Sequence, residues 1–178
     1  MVRTFTLIVQ LERLSASLKE LDKALEELLP PPEDEGPSDA QLLQSIPGIG
    51  PRTAAVLLGE LGRLQRFHSA KALVAYVGLG FYPRIEQSGQ RESPPPPRLA
   101  MAGSRVARHA LYMAAVNAVR RSPELRATYL RKRAQDKSAK QALIVVAVKL
   151  LHTAYALIKQ WAHFDPSRLL VASEVVRP

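Results

Sequence analysis

The run Ser45–Leu58, reading SIPGIGPRTAAVLL, constrains this chain more than any other stretch. It places Pro47, Gly48 and Gly50 between two patterns of helical period. Upstream, Ala40, Leu42, Leu43 and Ile46 recur at the spacing of one helix face, and downstream Ala54, Ala55, Leu57 and Leu58 supply a narrow second face. Pro51 suits the first turn of the downstream helix, where its missing N–H costs no hydrogen bond. Two short helices joined by a glycine hairpin are predicted. Glycines at 48 and 50 allow a positive φ and a close approach by another backbone. Because the second helix starts at the hairpin, its free amides point outward beside Gly48–Arg52. Such amides attract an anion, and Arg52 adds a full positive charge.

In this form the stretch resembles the helix-hairpin-helix motif, which holds the phosphates of DNA without reading base sequence. IPGIGPRTA covers the whole hairpin of that motif. The resemblance implies Gly48, Ile49, Gly50 and Arg52 as DNA-binding residues. The competing reading is a glycine turn in an ordinary helical bundle. Charge favours the first. Residues 1–40 hold four Lys/Arg and nine Asp/Glu, a net of −5, whereas residues 41–178 hold twenty-one and seven, a net of +14. A basic body on an acidic arm attracts polyanions, with an affinity that falls steeply with salt. There is no Cys, which excludes a disulfide framework and thiolate metal sites. No unbroken apolar run approaches the roughly 18 residues of a membrane span, and MVRTFTLIVQ lacks the cleavage site of a signal peptide, so a cytoplasmic protein is expected.

The arm is a predicted helix. Leu7, Leu11, Leu14, Leu18, Leu21, Leu25 and Leu28 alternate spacings of four and three, a leucine seam of coiled-coil type. Such a seam wants a partner helix, either from another copy of the chain or from the same fold. Its e and g positions carry little charge, which leaves the choice open. Pro30-Pro31-Pro32 ends the helix, and Glu33–Pro37 is an acidic linker. The predicted organisation is an arm over 1–30, a linker over 31–37, a body over 38–164 and a tail over 165–178.

Ser38 with Gln41 forms a capping-box pattern at the start of the first hairpin helix, and Ser138 with Gln141 does so for a helix over Ala139–Ala162. Ser69 caps a helix over Ala70–Val77, closed by Gly78. Gly103–Arg121 reads as a helix carrying Val106, Ala110, Leu111, Ala114, Ala115 and Ala118 inward. Ser122-Pro123-Glu124 opens another, to about Ala134. Ala139–Ala162 is apolar over most of its circumference and should be central. Phe81, Tyr82 and Ile85 suggest a short extended piece, and Pro94–Pro97 a stiff polyproline run, within the irregular stretch 79–98. The fold class is therefore all-α, a long N-terminal helix followed by a compact helical body.

Between Arg98 and Lys140 there are eleven Lys/Arg against Glu124 and Asp136. Arg105, Arg108, Arg120, Arg121, Arg126, Arg131, Lys132 and Arg133 lie on or between two helices, where guanidinium groups can fork onto phosphate oxygens. A solvated charged surface is the plainer alternative. His68, His109, His152 and His163 show no metal-ligand spacing, and the seven carboxylates of the body form no cluster.

The order of pieces now carries a wider resemblance: the arm, SIPGIGPRTAAVLLGELG, RFHSAKALVAYVGL, QSG, GSRVARHALYMAA and KQALIVVAVKLLHTAYALIK. Over nearly all of residues 5–160 the chain resembles the C-terminal half of DEDD-type insertion-sequence transposases. These are the Piv/MooV-like group, described as bridge-RNA-guided recombinases. That family joins this half to an N-terminal resolvase-like domain with four acidic metal ligands, which is expected to be missing here. The resemblance implies Ser88, in Gln87-Ser88-Gly89, as the nucleophile on a DNA phosphodiester. Arg84 and Arg91 flank it, and Arg105 and Arg108 belong to the RxxR element. It implies DNA and a guide RNA as partners, and Mg²⁺ only with the resolvase-like domain. A serine hydroxyl is a weak nucleophile that needs activation, so the chain alone is expected to bind without cutting. Pro94–Ala102 departs from the Lys/Gly/Asn-rich element the family often carries at that place. The rival function is a non-catalytic nucleic-acid-binding protein in which Ser88 has no role.

Overall fold

Ser138 and Gln141 cap each other at the start of the longest helix of the body: the Gln141 amide donates to Ser138 Oγ at 3.3 Å, and the Ser138 amide to Gln141 Oε1 at 2.9 Å. In this computed structural model, which describes residues 2–27, 36–82, 98–99 and 103–166, that helix becomes the centre of the molecule. The elements in order are α1 (Val2–Glu27), α2 (Asp39–Gln44), α3 (Pro51–Leu61), a 3₁₀ turn (Leu64–Arg66), α4 (Ala70–Val77), β1 (Phe81–Tyr82), β2 (Arg98–Leu99), α5 (Arg105–Arg121), α6 (Pro123–Arg133) and α7 (Ala139–Gln160). The architecture is helical, apart from the antiparallel pair β1–β2, in which Phe81 faces Leu99 and Tyr82 faces Arg98.

The helix α7 packs against α2, α4, α5, α6 and the 3₁₀ turn. Ile144, Val146, Ala147, Leu150, Leu151, Ala154 and Ile158 are buried along it. By length and composition alone α7 could cross a membrane, contrary to an expectation that counted only unbroken apolar runs. Its apolar surface is instead spent on the neighbouring helices, as in the core helix of a soluble fold. α5 packs on α7 and α3 and buries Ala107, Leu111, Ala114, Ala115 and Ala118. Val106, expected inside, is 54% exposed, because it sits about 100° around the helix from buried Ala107.

Caps fix the corners. Ser122 both ends α5 and opens α6, accepting from the Leu125 amide at 3.3 Å and donating to Glu124 Oε2 at 2.7 Å. Ser69 caps α4 through the Ala72 amide, and Gly78 closes it in the left-handed conformation. Tyr155 of α7 donates its hydroxyl to the Phe67 carbonyl at 2.8 Å, tying the segment after the 3₁₀ turn to the core helix.

The arm α1 touches the body at α3. Leu11, Leu14, Leu18 and Leu21 of the predicted seam are 45–66% exposed, so packing within the same fold does not cover them. Leu28 lies outside the described residues, as do the side chains of Leu7 and Leu25. The same holds for Pro30 and for residues 31–35 of the predicted linker, for Arg84, Ile85, Ser88, Arg91 and Pro94–Pro97, and for the tail beyond residue 166.

Candidate nucleic-acid interface

The hairpin is built by two buried isoleucines with a turn between them. Ile46 and Ile49 are both core residues, and the Ile49 amide donates to the Ile46 carbonyl at 3.0 Å. Burying both ends of so short a segment forces the chain to fold back at Pro47-Gly48. Gly48 takes φ +94°, a region that side-chain-bearing residues rarely occupy. A Cβ there would lie 2.4 Å from the Ala114 carbonyl oxygen and 2.7 Å from the Ala118 nitrogen. The close approach predicted for Gly48 is therefore made to the backbone of α5.

Gly50 is different. Its φ of −98° and ψ of 179° are ordinary extended values, and a Cβ on it would meet nothing within 4 Å. It is the N-cap of α3 and offers no side-chain cap, so the amides of Arg52 and Thr53 lead the helix uncapped by any side chain. Pro51 occupies the first position, as expected. The positive end of the α3 dipole thus opens onto exposed Gly50.

Arg52 is exposed, but its guanidinium is engaged. It donates through Nε to Asp22 Oδ1 at 3.1 Å, and through Nη2 to Oδ1 at 2.9 Å and to Oδ2 at 3.0 Å. Asp22 belongs to the acidic arm, so α1 places a carboxylate beside the leading turn of α3. Reasoning from the sequence missed this partner. Asp22 is one e/g position among several in the heptads, and nothing near it points to a residue thirty positions on.

Two contacts orient α3 against α5. Gly48, just before α3, meets Ala114 and Ala118, towards the C-terminal end of α5. At the far end of α3, Glu60 Oε2 accepts from the hydroxyl of Ser104, the N-cap of α5, at 2.5 Å. The helices run antiparallel, and this separates the basic residues into two groups. Arg121 lies one turn beyond Ala118 on the same face and is exposed near the hairpin. Arg105 and Arg108 lie at the other end, near Glu60 and Ser104. Eleven residues of α3 span about 16 Å between the two ends. Arg105 is exposed and Arg108 half-buried. The structure therefore does not gather the hairpin and the RxxR element at one point.

The arginines of α6 are partly committed to the fold. Arg131, Lys132 and Arg133 occupy its last turn, where positive charge suits the helix dipole. Arg133 Nη1 also donates to the Lys137 carbonyl at 2.7 Å. Lys149 of α7 is held below the usual lysine range, first by burial and then by the charge of Arg131, with Glu124 opposing.

The second group follows soon after β2 in the chain. β1 and β2 pair at the two ends of residues 83–97. Gly103, with φ +107°, lies so close to the end of α4 that a Cβ would fall 2.5 Å from the Val77 carbonyl oxygen and 2.7 Å from that of Tyr76. Ser88, Arg84 and Arg91 themselves lie outside the described residues. Among the described residues no group of three or more His, Asp or Glu side chains could hold a metal ion.

A model of the transposase IS116/IS110/IS902 family matches residues 40–130, which run from α2 into α6. Over 130 residues the chain is 38% identical to the pilin gene-inverting protein of Moraxella bovis, covering 71% of this chain and 38% of that protein. It is 32% identical over 125 residues to an insertion element IS110 43.6 kDa protein of Streptomyces coelicolor, covering 70% of this chain and 30% of that one. A transposase for insertion sequence element IS1111A of Coxiella burnetii is 41% identical over 54 residues, 30% of this chain and 14% of that protein. The chain thus spans less than two fifths of the length of each of these relatives.

Proposed function

The chain belongs to the transposase IS116/IS110/IS902 family, and from that premise we propose that it is the DNA-binding and strand-transfer part of a recombinase of the DEDD, Piv/MooV-like type. The observation that carries the reading is the leading turn of α3. Gly48 is locked onto α5, Gly50 is open, and the leading turn of α3 has no side-chain cap. A DNA phosphate at Gly50 would accept from the amides of that turn and draw on Arg52, giving a helix-hairpin-helix grip blind to base sequence. Arg105 and Arg108 would hold the backbone about five base pairs away, at a rise of roughly 3.4 Å per base pair over the length of α3.

In this reading Ser88 is the nucleophile. Its Oγ forms a bond to the phosphorus while a phosphorus–oxygen bond to deoxyribose breaks. The hydroxyl proton passes to a base, and the departing sugar oxygen takes one up. Arg84 and Arg91 offset charge on the phosphate. The described residues provide no metal-ligand set, so no step is assigned to a metal on this chain. Mg²⁺ belongs to an acidic resolvase-like domain acting with it. A guide RNA is a second nucleic-acid partner, the exposed leucines of α1 join copies of the chain, and the assembly works at the nucleoid in the cytoplasm.

Two measurements test this. Duplex binding followed by anisotropy is expected to weaken steeply between 50 and 200 mM salt, on the order of tenfold or more if several phosphates are neutralised. It is also expected to weaken in Arg52→Gln, and salt-independent binding would remove the phosphate grip. Mixing the chain with a resolvase-like domain, Mg²⁺ and labelled DNA is expected to yield a covalent adduct. An adduct that persists in Ser88→Ala would take that serine out of the chemistry.

A further inference from the structure

Tyr76 is an aromatic side chain that the core does not absorb. It lies on α4, is 48% exposed, and precedes the Val77-Gly78 corner that leads into β1. Its ring meets Phe67 edge-on, with centroids 5.2 Å apart and planes at 62°. The Arg66 guanidinium lies over both rings, 4.8 Å from the Phe67 centroid and 5.3 Å from that of Tyr76. Phe67 is in turn fixed to α7 through the hydrogen bond from Tyr155 to its carbonyl. The result is a braced ring with a cation over it and much of its surface in water.

Its position matters as much as its exposure. The Tyr76 carbonyl lies against Gly103, and Ser104 follows at once as the cap of α5, with Arg105 in the first turn. Tyr76 therefore stands where the end of α4 meets Gly103, close to the start of α5, which carries the arginines of the RxxR element. Trp161, the other aromatic exposed to a similar degree among the described residues, lies past the end of α7, outside the three cation–π pairs seen among those residues. A half-open ring, stiffened by a neighbour and carrying a guanidinium over it, has the make-up of a stacking platform for bases. Bases in an intact duplex keep their faces covered by their neighbours, whereas an unpaired base has a face to offer.

We propose that Tyr76, backed by Arg66 and Phe67, stacks an unpaired nucleobase at the end of α4. This rests on the nucleic-acid reading above and narrows it. The hairpin holds a backbone in any form, whereas the platform selects a nucleotide out of the helical stack. Arg66 adds a cation–π contribution on the ring and a charge for the adjoining phosphate.

The test uses the whole chain with three probes of equal length, duplex DNA, single-stranded DNA and single-stranded RNA, the last two carrying 2-aminopurine. Wild type is expected to quench the 2-aminopurine. Tyr76→Ala and Tyr76→Leu are expected to bind a single-stranded probe about 5- to 150-fold more weakly, the loss of one base–aromatic stack, and to bind duplex as before. Tyr76→Phe should behave as wild type. The leucine variant keeps an apolar contact with Phe67, so a loss in both variants with unchanged melting temperature is a loss of stacking. Whichever single strand shows the loss identifies the natural source of the base. Equal effects on all three probes, or none on either single strand, would overturn the proposal. If Arg52→Gln leaves duplex binding untouched, it is the hairpin reading that fails, whatever Tyr76 does.

Discussion

Replacing each hairpin glycine by alanine separates what the fold needs from what the surface offers. At Gly48 two costs add. Holding an alanine at φ +94° costs on the order of 1–2 kcal/mol. A Cβ placed 2.4 Å from the Ala114 carbonyl oxygen meets backbone of a core helix, so α5 or the hairpin must move, an overpacking cost of roughly 1–3 kcal/mol. The expected loss is therefore about 2–5 kcal/mol, a large share of the roughly 5–15 kcal/mol that holds a domain folded. At about 2–4 °C per kcal/mol for a chain of this size, the melting temperature should fall by roughly 4–20 °C. At Gly50 the backbone is extended and space is open. Alanine gains by restricting the unfolded chain and loses as a poorer N-cap, and the two nearly cancel, within about 0.5 kcal/mol. Thermal unfolding followed by circular dichroism at 222 nm reads both. If Gly48→Ala melts with wild type, the contact with α5 is not what requires a glycine there. With Gly48 committed to the fold, Gly50 is the clean probe of binding: Gly50→Val should keep its melting temperature and lose duplex affinity.

Three further outcomes are expected. Asp22→Asn should tighten duplex binding about 2- to 5-fold, the worth of an exposed ion pair that no longer competes for Arg52. Glu20→Gln makes the same charge change on α1 away from Arg52, and an equal effect there would reduce the result to net charge. Leu14→Glu and Leu18→Glu replace exposed seam residues and should leave the melting temperature within about 0.5 kcal/mol equivalent. Light scattering should show the wild-type mass rising with concentration and the variants monomeric; a monomeric wild type would refute association through the seam. Burial holds the His152 imidazole below its ordinary value of 6.5, so as pH falls the unfolded chain takes up this proton first. Stability from this group is present above 6.5 and is lost as pH drops through that value towards the folded pKa. Urea midpoints at pH 7.5 and 5.5 should show the loss in wild type and a shallower one in His152→Gln.

What was legible in the sequence was what is decided locally. The serines at 38, 69, 122 and 138 cap helices as their spacing predicts, because a cap is a bond between residues two or three apart. Helical period likewise marked α7 as the centre, and the missing N–H of Pro51 marked the start of α3. The contacts that decide the interface are distant in sequence, and there local pattern ran out. Gly48 and Gly50 look alike in the chain, and only the small residues of α5 distinguish them. Ala114 and Ala118 let two backbones approach at Gly48, and no such neighbour stands at Gly50. Ile49, which a motif match groups with the DNA contacts, lies in the core and shapes the turn from inside. A heptad of leucines states that a helix wants a partner without stating which molecule supplies it, and Asp22 reaches Arg52 with no local sign. Matching a whole motif therefore does not assign one role to all its residues. In this hairpin Ile46, Gly48 and Ile49 make the shape, and Gly50 and the amides that follow it are the part proposed to meet a phosphate.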